Sequence, residues 1–458
     1  MNNPDVDSLP RKSTVTRLLL VLILCLSVLI QLTVVARTVV DIPLRVDAGD
    51  YFSYAYNLSH HGVYSIARTW QGDATAQAPI ADAYRPPGYP LFLTMIGTPE
   101  PTGAYVRRVS LVQAALGVLS VLFAYLIAVR LLGRNWALAV ALICALSPRF
   151  AIISTYLLSE SLFVFLLLGS VLSLIKALES RSRWLFVATG VLWGLCSLVR
   201  PTGELLPPLL LIVVFALPRL RQFRLSAVLA FACFAAVLAP WIIRNQSPGV
   251  SRPTANLMVK ALAHGSYPGF MYEGQPRSFG FPYRFDPNGE AIARDLPTIL
   301  KHIAGRFRAQ PVTYATWYFI GKPALFLSWG DVQERDIFIY PVIRTPYIED
   351  ARFATIRRVA LLLHLPLMIL GLAGAALTLL RPRLLSLDQS SARAAGVVAL
   401  VVLYAIAFHI AVAPLPRYAI PFLPMLYSLA ILTCRAVYLR WQPRQAARLV
   451  VEVTQKGS

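Results

Sequence analysis

Residues 18–36 carry no charged side chain, and residues 394–413 form a second such run, broken only by His409. A helix needs about 20 apolar residues to cross ~30 Å of hydrocarbon. Backbone N–H and C=O groups find no water in lipid, so a spanning segment must satisfy them internally, and these runs are helices. The rest of the chain agrees. Of its 458 residues 57% are hydrophobic and 14% charged, against about 25% charged in an ordinary soluble domain. A large soluble core does not account for that deficit. The fold class implied is an all-α polytopic membrane protein.

Ten spans are expected, at roughly 18–37, 109–131, 136–154, 160–178, 184–199, 203–218, 226–243, 359–380, 394–413 and 418–438. The first is longer than the ~7–15-residue apolar region of a secretory signal, and no small-x-small cleavage site follows it, so it reads as a retained anchor. Arg11, Lys12 and Arg17 precede it. Arg130 and Arg134, then Lys176, Arg181 and Arg183, then Arg219, Arg221 and Arg224, then Arg381, Arg383 and Arg393 occupy alternate connections. Arg435, Arg440, Arg444 and Arg448 follow the last span. All fall on one side, which the positive-inside rule makes cytoplasmic; Arg107 and Arg108 count against this and are outvoted. The expected organisation is a transmembrane module at 1–243 with a first outer loop at 38–108, a small extracytoplasmic loop domain at 244–358, C-terminal transmembrane helices at 359–440 and a cytoplasmic tail at 441–458. The location implied is the cell (inner) membrane, multi-pass, with any chemistry extracytoplasmic. Tyr314–Trp329 is aromatic and apolar but interrupted by Lys322. It reads as an interfacial helix with Trp317, Tyr318 and Trp329 in the headgroup belt, an eleventh span being the alternative.

The net charge of +21 does not make this a nucleic-acid binder. The basic residues flank apolar blocks, where they act as orientation signals and lipid-headgroup contacts, and no RNA- or DNA-binding motif accompanies them. Membrane lipids are the expected basic-residue partners. Cys25, Cys144, Cys196, Cys233 and Cys434 all lie inside apolar blocks without metal-ligand spacing, and act as small hydrophobes. His60 and His61 point about 100° apart on a helix and make a poor chelate; His364 and His409 are isolated. No protein-bound metal is expected. No Gly-rich phosphate loop is present, and no cofactor is implied.

The first outer loop places Asp47, Asp50, Tyr51, Ala55, Leu58 and Gly62 at helix-like spacing. A short amphipathic helix starting at Asp47 or Asp50 and ending at Gly62 would lie at the membrane surface. Its aspartates could be N-caps and dipole partners, or carboxylates with chemistry to do. Next comes Tyr84-Arg85-Pro86-Pro87-Gly88. Its prolines stiffen the backbone beside an Arg, whose donor fork suits phosphate; a plain helix entry is the competing reading. Other polar residues stand at span ends: Ser159-Glu160, Arg200-Pro201, Glu204 and Pro416-Arg417-Tyr418. Singly each is best read as a snorkelling anchor. Their joint placement on one face, with the long loops, points to a site.

These motifs, in this order, resemble the GT-C superfamily of membrane glycosyltransferases, in its phospholipid-carrier-dependent branch related to protein O-mannosyltransferases and the lipid A aminoarabinose transferase. The resemblance lies in Asp47, Tyr51, Ala55, Leu58 and Gly62, in Arg85-Pro86-Pro87, and in Ser159-Glu160, Arg200-Pro201 and Arg417-Tyr418. It covers roughly residues 20–245 well and the remainder weakly. The family's Asp-Glu pair is Asp47-Ala48 here, so Asp50 competes for the catalytic role. The resemblance implies a GT-C-type helical fold. It implies an inverting transfer of sugar from a polyprenyl-phosphate-linked donor to a hydroxyl on a glycan, lipid or protein acceptor. Asp47 (alternatively Asp50) would be the catalytic base. Arg85, Arg200, Arg417 and Tyr418 would bind the donor phosphate, and Tyr51, Glu160, Tyr84 and Glu204 would support the site or the acceptor. The rival is a membrane transporter or lipid-linked glycan flippase. Transporters usually show repeated halves and midplane charge, and neither is evident.

Overall fold

The computed structural model describes residues 9–72, 78–251, 255–332 and 336–456. Arg11, Lys12, Arg444 and Arg448, counted above for orientation, lie where only the backbone is described. The chain is helical almost throughout. From the N-terminus run α1 (Leu9–Arg37), α2 (Val46–His61), α3 (Gly88–Ile96), α4 (Gly103–Leu132), α5 (Arg134–Leu146), α6 (Pro148–Ile153), α7 (Glu160–Ser180), α8 (Arg183–Val199), α9 (Leu206–Ala216) and α10 (Arg224–Asn245). A polar segment of short helices follows: α11 (Ala255–Gly265), α12 (Gly289–Ile292), α13 (Leu296–Ala309), α14 (Pro311–Thr316), α15 (Lys322–Phe326) and α16 (Pro346–Glu349). The bundle closes with α17 (Ala351–Leu380), α18 (Gln389–Ala411) and α19 (Leu423–Lys456).

Among the described residues, seven helical stretches are long and apolar enough to cross a membrane: Thr14–Arg37, Gly103–Leu132, Glu160–Ser180, Pro218–Asn245, Ala351–Leu380, Gln389–Ala411 and Pro416–Trp441. Three shorter apolar stretches, Arg134–Leu146, Arg183–Val199 and Pro201–Ala216, occupy the other three expected positions. The expected span 136–154 is not one continuous helix. It breaks at Ser147, which adopts extended geometry before Pro148, because the proline ring disfavours the helical conformation of the residue it follows.

The bundle packs α4 against α1, α5 and α7, and α8 against α7 and α10. On α8, Gly190 and Gly194 face α10 so closely that a Cβ would strike Ala230 and Val237. Four-residue spacing of small residues permits this backbone approach, and in lipid such packing is a main source of helix association. At one end of the bundle, β1 (Val39–Val40) pairs antiparallel with β2 (Val342–Arg344), and Arg37 reaches Asp350 at 3.2 Å. The chain leaving α1 is thereby tied to the chain entering α17.

The stretch around Trp317 does not turn Trp317 and Tyr318 outward, as headgroup-belt residues would be; Phe319 and Ile320 are exposed instead. α14, a π-helical turn at Trp317–Gly321 and α15 form one bent rod. Trp317 and Tyr318 are buried in an aromatic cluster with Phe270, Tyr314, Ala413 and Leu415. Lys322, which looked like an interruption, is fully buried. Its ammonium bonds the carbonyls of Ile410 and Ala411 at 2.8 and 3.3 Å and lies 3.7 Å from the Tyr318 ring centroid. It satisfies acceptors that the end of α18 leaves open.

Candidate active site

α2 forms where its spacing places it. Tyr51, Phe52 and Ala55 are buried on one face, and Gly62 ends the helix in left-handed geometry at φ 66°, which glycine adopts at no steric cost. Neither aspartate caps it: Arg45 holds the N-cap position, without a side-chain bond. Asp47 and Asp50 instead share one helical face and look outward to arginines. Arg85 Nη2 donates to Asp47 Oδ1 at 2.6 Å and to Asp50 Oδ2 at 2.8 Å. Arg417 Nη2 donates to Asp47 Oδ2 at 2.5 Å. Both oxygens of Asp47 are therefore held by guanidinium groups some 330 residues apart in the chain (Arg85 and Arg417).

A second pair adjoins the first. Arg200 Nη1 lies 2.7 Å from Glu160 Oε1 and 3.5 Å from Ser159 Oγ, which sits 3.3 Å from the Tyr51 hydroxyl. Tyr418 lies between the pairs, its ring centroid 4.6 Å from the Arg200 guanidinium and 5.3 Å from that of Arg417. Tyr51 and Tyr84 flank Arg85, each 5.4 Å away. Nine of the ten sequence-picked residues thus meet. Glu204 does not join these ion pairs; it follows the Pro201–Gly203 turn, on the side of Tyr404.

Local features hold the arginines in place. The Arg85 turn enters α3 at Gly88, where a Cβ would come within 2.7 Å of the Leu198 carbonyl, so the turn seats directly on the end of α8 that carries Arg200. Buried Asp82 accepts from the backbone N–H groups of Ile66 and Tyr84 at 2.8 and 3.0 Å and from the Tyr54 hydroxyl, fixing the loop just before Arg85. Arg149 donates to the carbonyls of Pro416 at 2.8 Å and Ser328 at 3.2 Å, which fixes the residue preceding Arg417.

Burial opposes ionisation of Asp47, yet Arg85 and Arg417 hold its carboxyl well below the usual carboxylate range. At Asp50 burial prevails over Arg85, and the carboxyl is raised. The Arg85 guanidinium is pushed up: burial opposes its charge, but Asp47, Tyr51 and Asp50 outweigh it. Asp47, Asp50 and Glu160 face Arg85, Arg200 and Arg417, with Arg68 3.7 Å from Asp50, so the cluster carries one cation more than its carboxylates neutralise. Arg85 Nε and Arg417 Nη1 are buried without a hydrogen-bond partner among the described residues. Buried donors left unpaired are uncommon and call for an explanation; an anionic ligand between these arginines supplies one. Among the described residues no three His, Cys, Asp or Glu side chains converge as a metal site.

Four residues of this neighbourhood escaped the sequence reading: Arg68, Asp82, Arg149 and Tyr340. Tyr340 is fully buried, beneath Arg45 at 5.7 Å, and is close enough to Asp47 and Arg417 to feel their charges. For Arg149 a signal existed, since a charge inside an expected span marks function by default. Arg68, Asp82 and Tyr340 sit in polar loops with no pattern to single them out.

Residues 85–243, which begin at Arg85 and take in Glu160 and Arg200, match the family described as Dolichyl-phosphate-mannose-protein mannosyltransferase. No curated protein matches the chain by sequence. Among solved structures, the chain is similar to the oligosaccharyltransferase AglB from Archaeoglobus fulgidus, in complex with an inhibitory peptide and a dolichol-phosphate. The TM-score is 0.51 at 16% identity, over 96% of this chain and 52% of that one. The chain therefore spans about half the length of that relative. ArnT from Cupriavidus metallidurans, bound to undecaprenyl phosphate, is more distant, at TM-score 0.40 and 16% identity over 91% of this chain and 77% of that one. The likeness to a membrane glycosyltransferase family is thus carried by residues 85–243, and the helical fold of the whole chain is similar to that of AglB.

Proposed function

We propose that the chain is an inverting glycosyltransferase, taking its sugar from a polyprenyl-phosphate-linked donor and delivering it to an acceptor hydroxyl on the extracytoplasmic side of the membrane. The observation that carries this reading is the clamp of Arg85 and Arg417 on Asp47, with a buried unpaired donor on each arginine. A phosphodiester brings negative charge that these guanidiniums can bind, and gains more as the sugar leaves. Fixed donors then help the transition state more than the ground state. The acceptor oxygen attacks the anomeric carbon, Asp47 takes the hydroxyl proton, and the carbon–oxygen bond to phosphate breaks with its electron pair remaining on the phosphate. A bound phosphate also competes for the arginines that hold the Asp47 carboxyl down, so it raises the proton affinity of the base where the proton must go. The apolar cavity of about 430 Å³ lined by Leu174, Trp193, Leu210, Val214, Phe231 and Leu400 suits part of the prenyl chain; Trp193 lies about two turns from Arg200 on α8.

Purified protein supplied with polyprenyl-phosphate sugars should release the lipid phosphate and form a glycoside of inverted anomeric configuration, read by NMR. Asp47→Asn should lower turnover by about 10²–10⁴-fold, the usual worth of a general base, and leave donor binding largely intact. If Asp50→Asn is the crippling change and Asp47→Asn is mild, the base is Asp50.

A further inference from the structure

The segment after α10 carries a second cavity, of about 580 Å³, whose walls include Tyr267, Tyr272, Asn288, His302, Arg306 and Gln310. It adjoins a groove along α13 of about 570 Å³, lined by Arg294, Thr298, Lys301, His302, Gly305 and Arg306. His302 and Arg306 belong to both, so the two form one continuous surface. One part offers tyrosine rings and amides, and the other a row of cations. Of the carboxylates nearby, Asp286 accepts from Tyr267 at 2.8 Å, Asp295 caps α13 at Thr298 and pairs with Arg294 at 2.9 Å, and Glu273 stands exposed on the wall of the first cavity, away from the α13 groove. The side chains of His302, Arg306 and Gln310 make no hydrogen bond among the described residues.

Gly305 is a second, independent sign. It is exposed inside α13, and a Cβ there would meet nothing within 4 Å. Packing does not require glycine, and glycine weakens a helix interior relative to alanine. A ligand lying close over the backbone gives glycine a role at this position. The surface is also joined to the arginine cluster. Tyr314 of its wall packs in one aromatic cluster with Phe270, Trp317 and Leu415, Leu415 stands two residues before Arg417, and Lys260 of α11 lies over the Tyr84 ring at 5.1 Å.

We propose that this surface docks the acceptor, and that the acceptor is an acidic glycan. Sugar rings rest against the tyrosines with hydroxyls on Asn288 and Gln310, and a carboxylate or phosphate substituent takes Lys301 and Arg306 across the open floor at Gly305. The proposal rests on the glycosyltransferase reading, but binding can be measured without turnover. Fluorescently tagged protein in phosphatidylcholine nanodiscs is applied to an array of neutral, uronate-bearing and phosphate-bearing glycans, with unfolding temperature followed in parallel. Wild-type protein should retain acidic glycans over neutral ones. Lys301→Ala with Arg306→Ala should weaken that retention by ~10-fold or more, the scale of one charged hydrogen bond lost. Gly305→Leu should abolish it while unfolding at or above the wild-type temperature. Asp47→Asn should bind as wild type. Retention of no acidic glycan, or equal retention by the Lys301/Arg306 and Gly305 variants, overturns the proposal and leaves the Asp47 turnover result untouched. Should those variants lose only affinity for phosphatidylglycerol vesicles, the groove is a lipid-headgroup contact and the proposal likewise falls.

Discussion

Arg85 spends one nitrogen, Nη2, on two carboxylates and keeps Nε buried and unpaired. A lysine in its place would bring the charge but only a point donor, without the planar fork. Arg85→Lys should therefore turn over the lipid-linked donor at a rate between wild type and Arg85→Ala, and the deficit should appear in kcat as well as in KM. Steady-state kinetics alongside an unfolding measurement decide it. An Arg85→Ala protein that folds and turns over at the wild-type rate would reduce Arg85 to an anchor and shift the phosphate role to Arg200 or Arg417. At this scale the sequence was informative where residue type and a rigid motif coincide: Asp47, Arg85, Arg200 and Arg417 were all legible. What it could not supply was partnership. Nothing in the order of residues says that Arg417, rather than Arg200, closes on Asp47, because that choice is made by how the last helix enters the bundle.

Elements were legible in proportion to their periodicity. α2 could be read from buried positions repeating along one face and a glycine at its end, and the break at Ser147-Pro148 was available from the proline rule although the apolar run concealed it. The rod around Trp317 was not legible, since an aromatic apolar stretch has the same pattern at a headgroup belt as under a protein layer. The most demanding contact between elements is Gly88 against the end of α8. Gly88→Val would drive a side chain into the Leu198 carbonyl, and overpacking of this kind costs about 1–3 kcal/mol. Because α3 and α8 carry Arg85 and Arg200 at that junction, the strain should separate the two arginines. The expected outcome is a loss of turnover larger than the modest fall in unfolding temperature explains. Gly103→Val, where a Cβ meets nothing within 4 Å, is the control and should leave turnover unchanged. Equal behaviour of the two variants would remove the α3–α8 seat from the account of the site.

At the scale of the whole molecule, the ion-pair cluster gathers the start of α2, shortly after α1 ends, the C-terminal end of α8 and the N-terminal ends of α7 and of the Pro416–Trp441 stretch. Antiparallel helices can bring those ends together only at one face of the bundle. The opposite ends carry Arg130, Arg181, Arg183, Arg381 and Arg383, the residues that the positive-inside rule assigns to the cytoplasm. The clustering puts the ion pairs at one face of the bundle, and the arginines at the opposite face are the argument for the proposed orientation, in which the site faces outward. In a background with all five cysteines replaced, single cysteines at Gln71, Asn288 and Arg383 test it, since all three positions are exposed. In intact cells freed of any outer barrier, a membrane-impermeant maleimide should label Gln71→Cys and Asn288→Cys and spare Arg383→Cys, which should react once the membrane is permeabilised. The reverse pattern would place the arginine cluster in the cytoplasm. It would remove the extracytoplasmic part of the proposed function while leaving the geometry of Asp47, Arg85 and Arg417 intact.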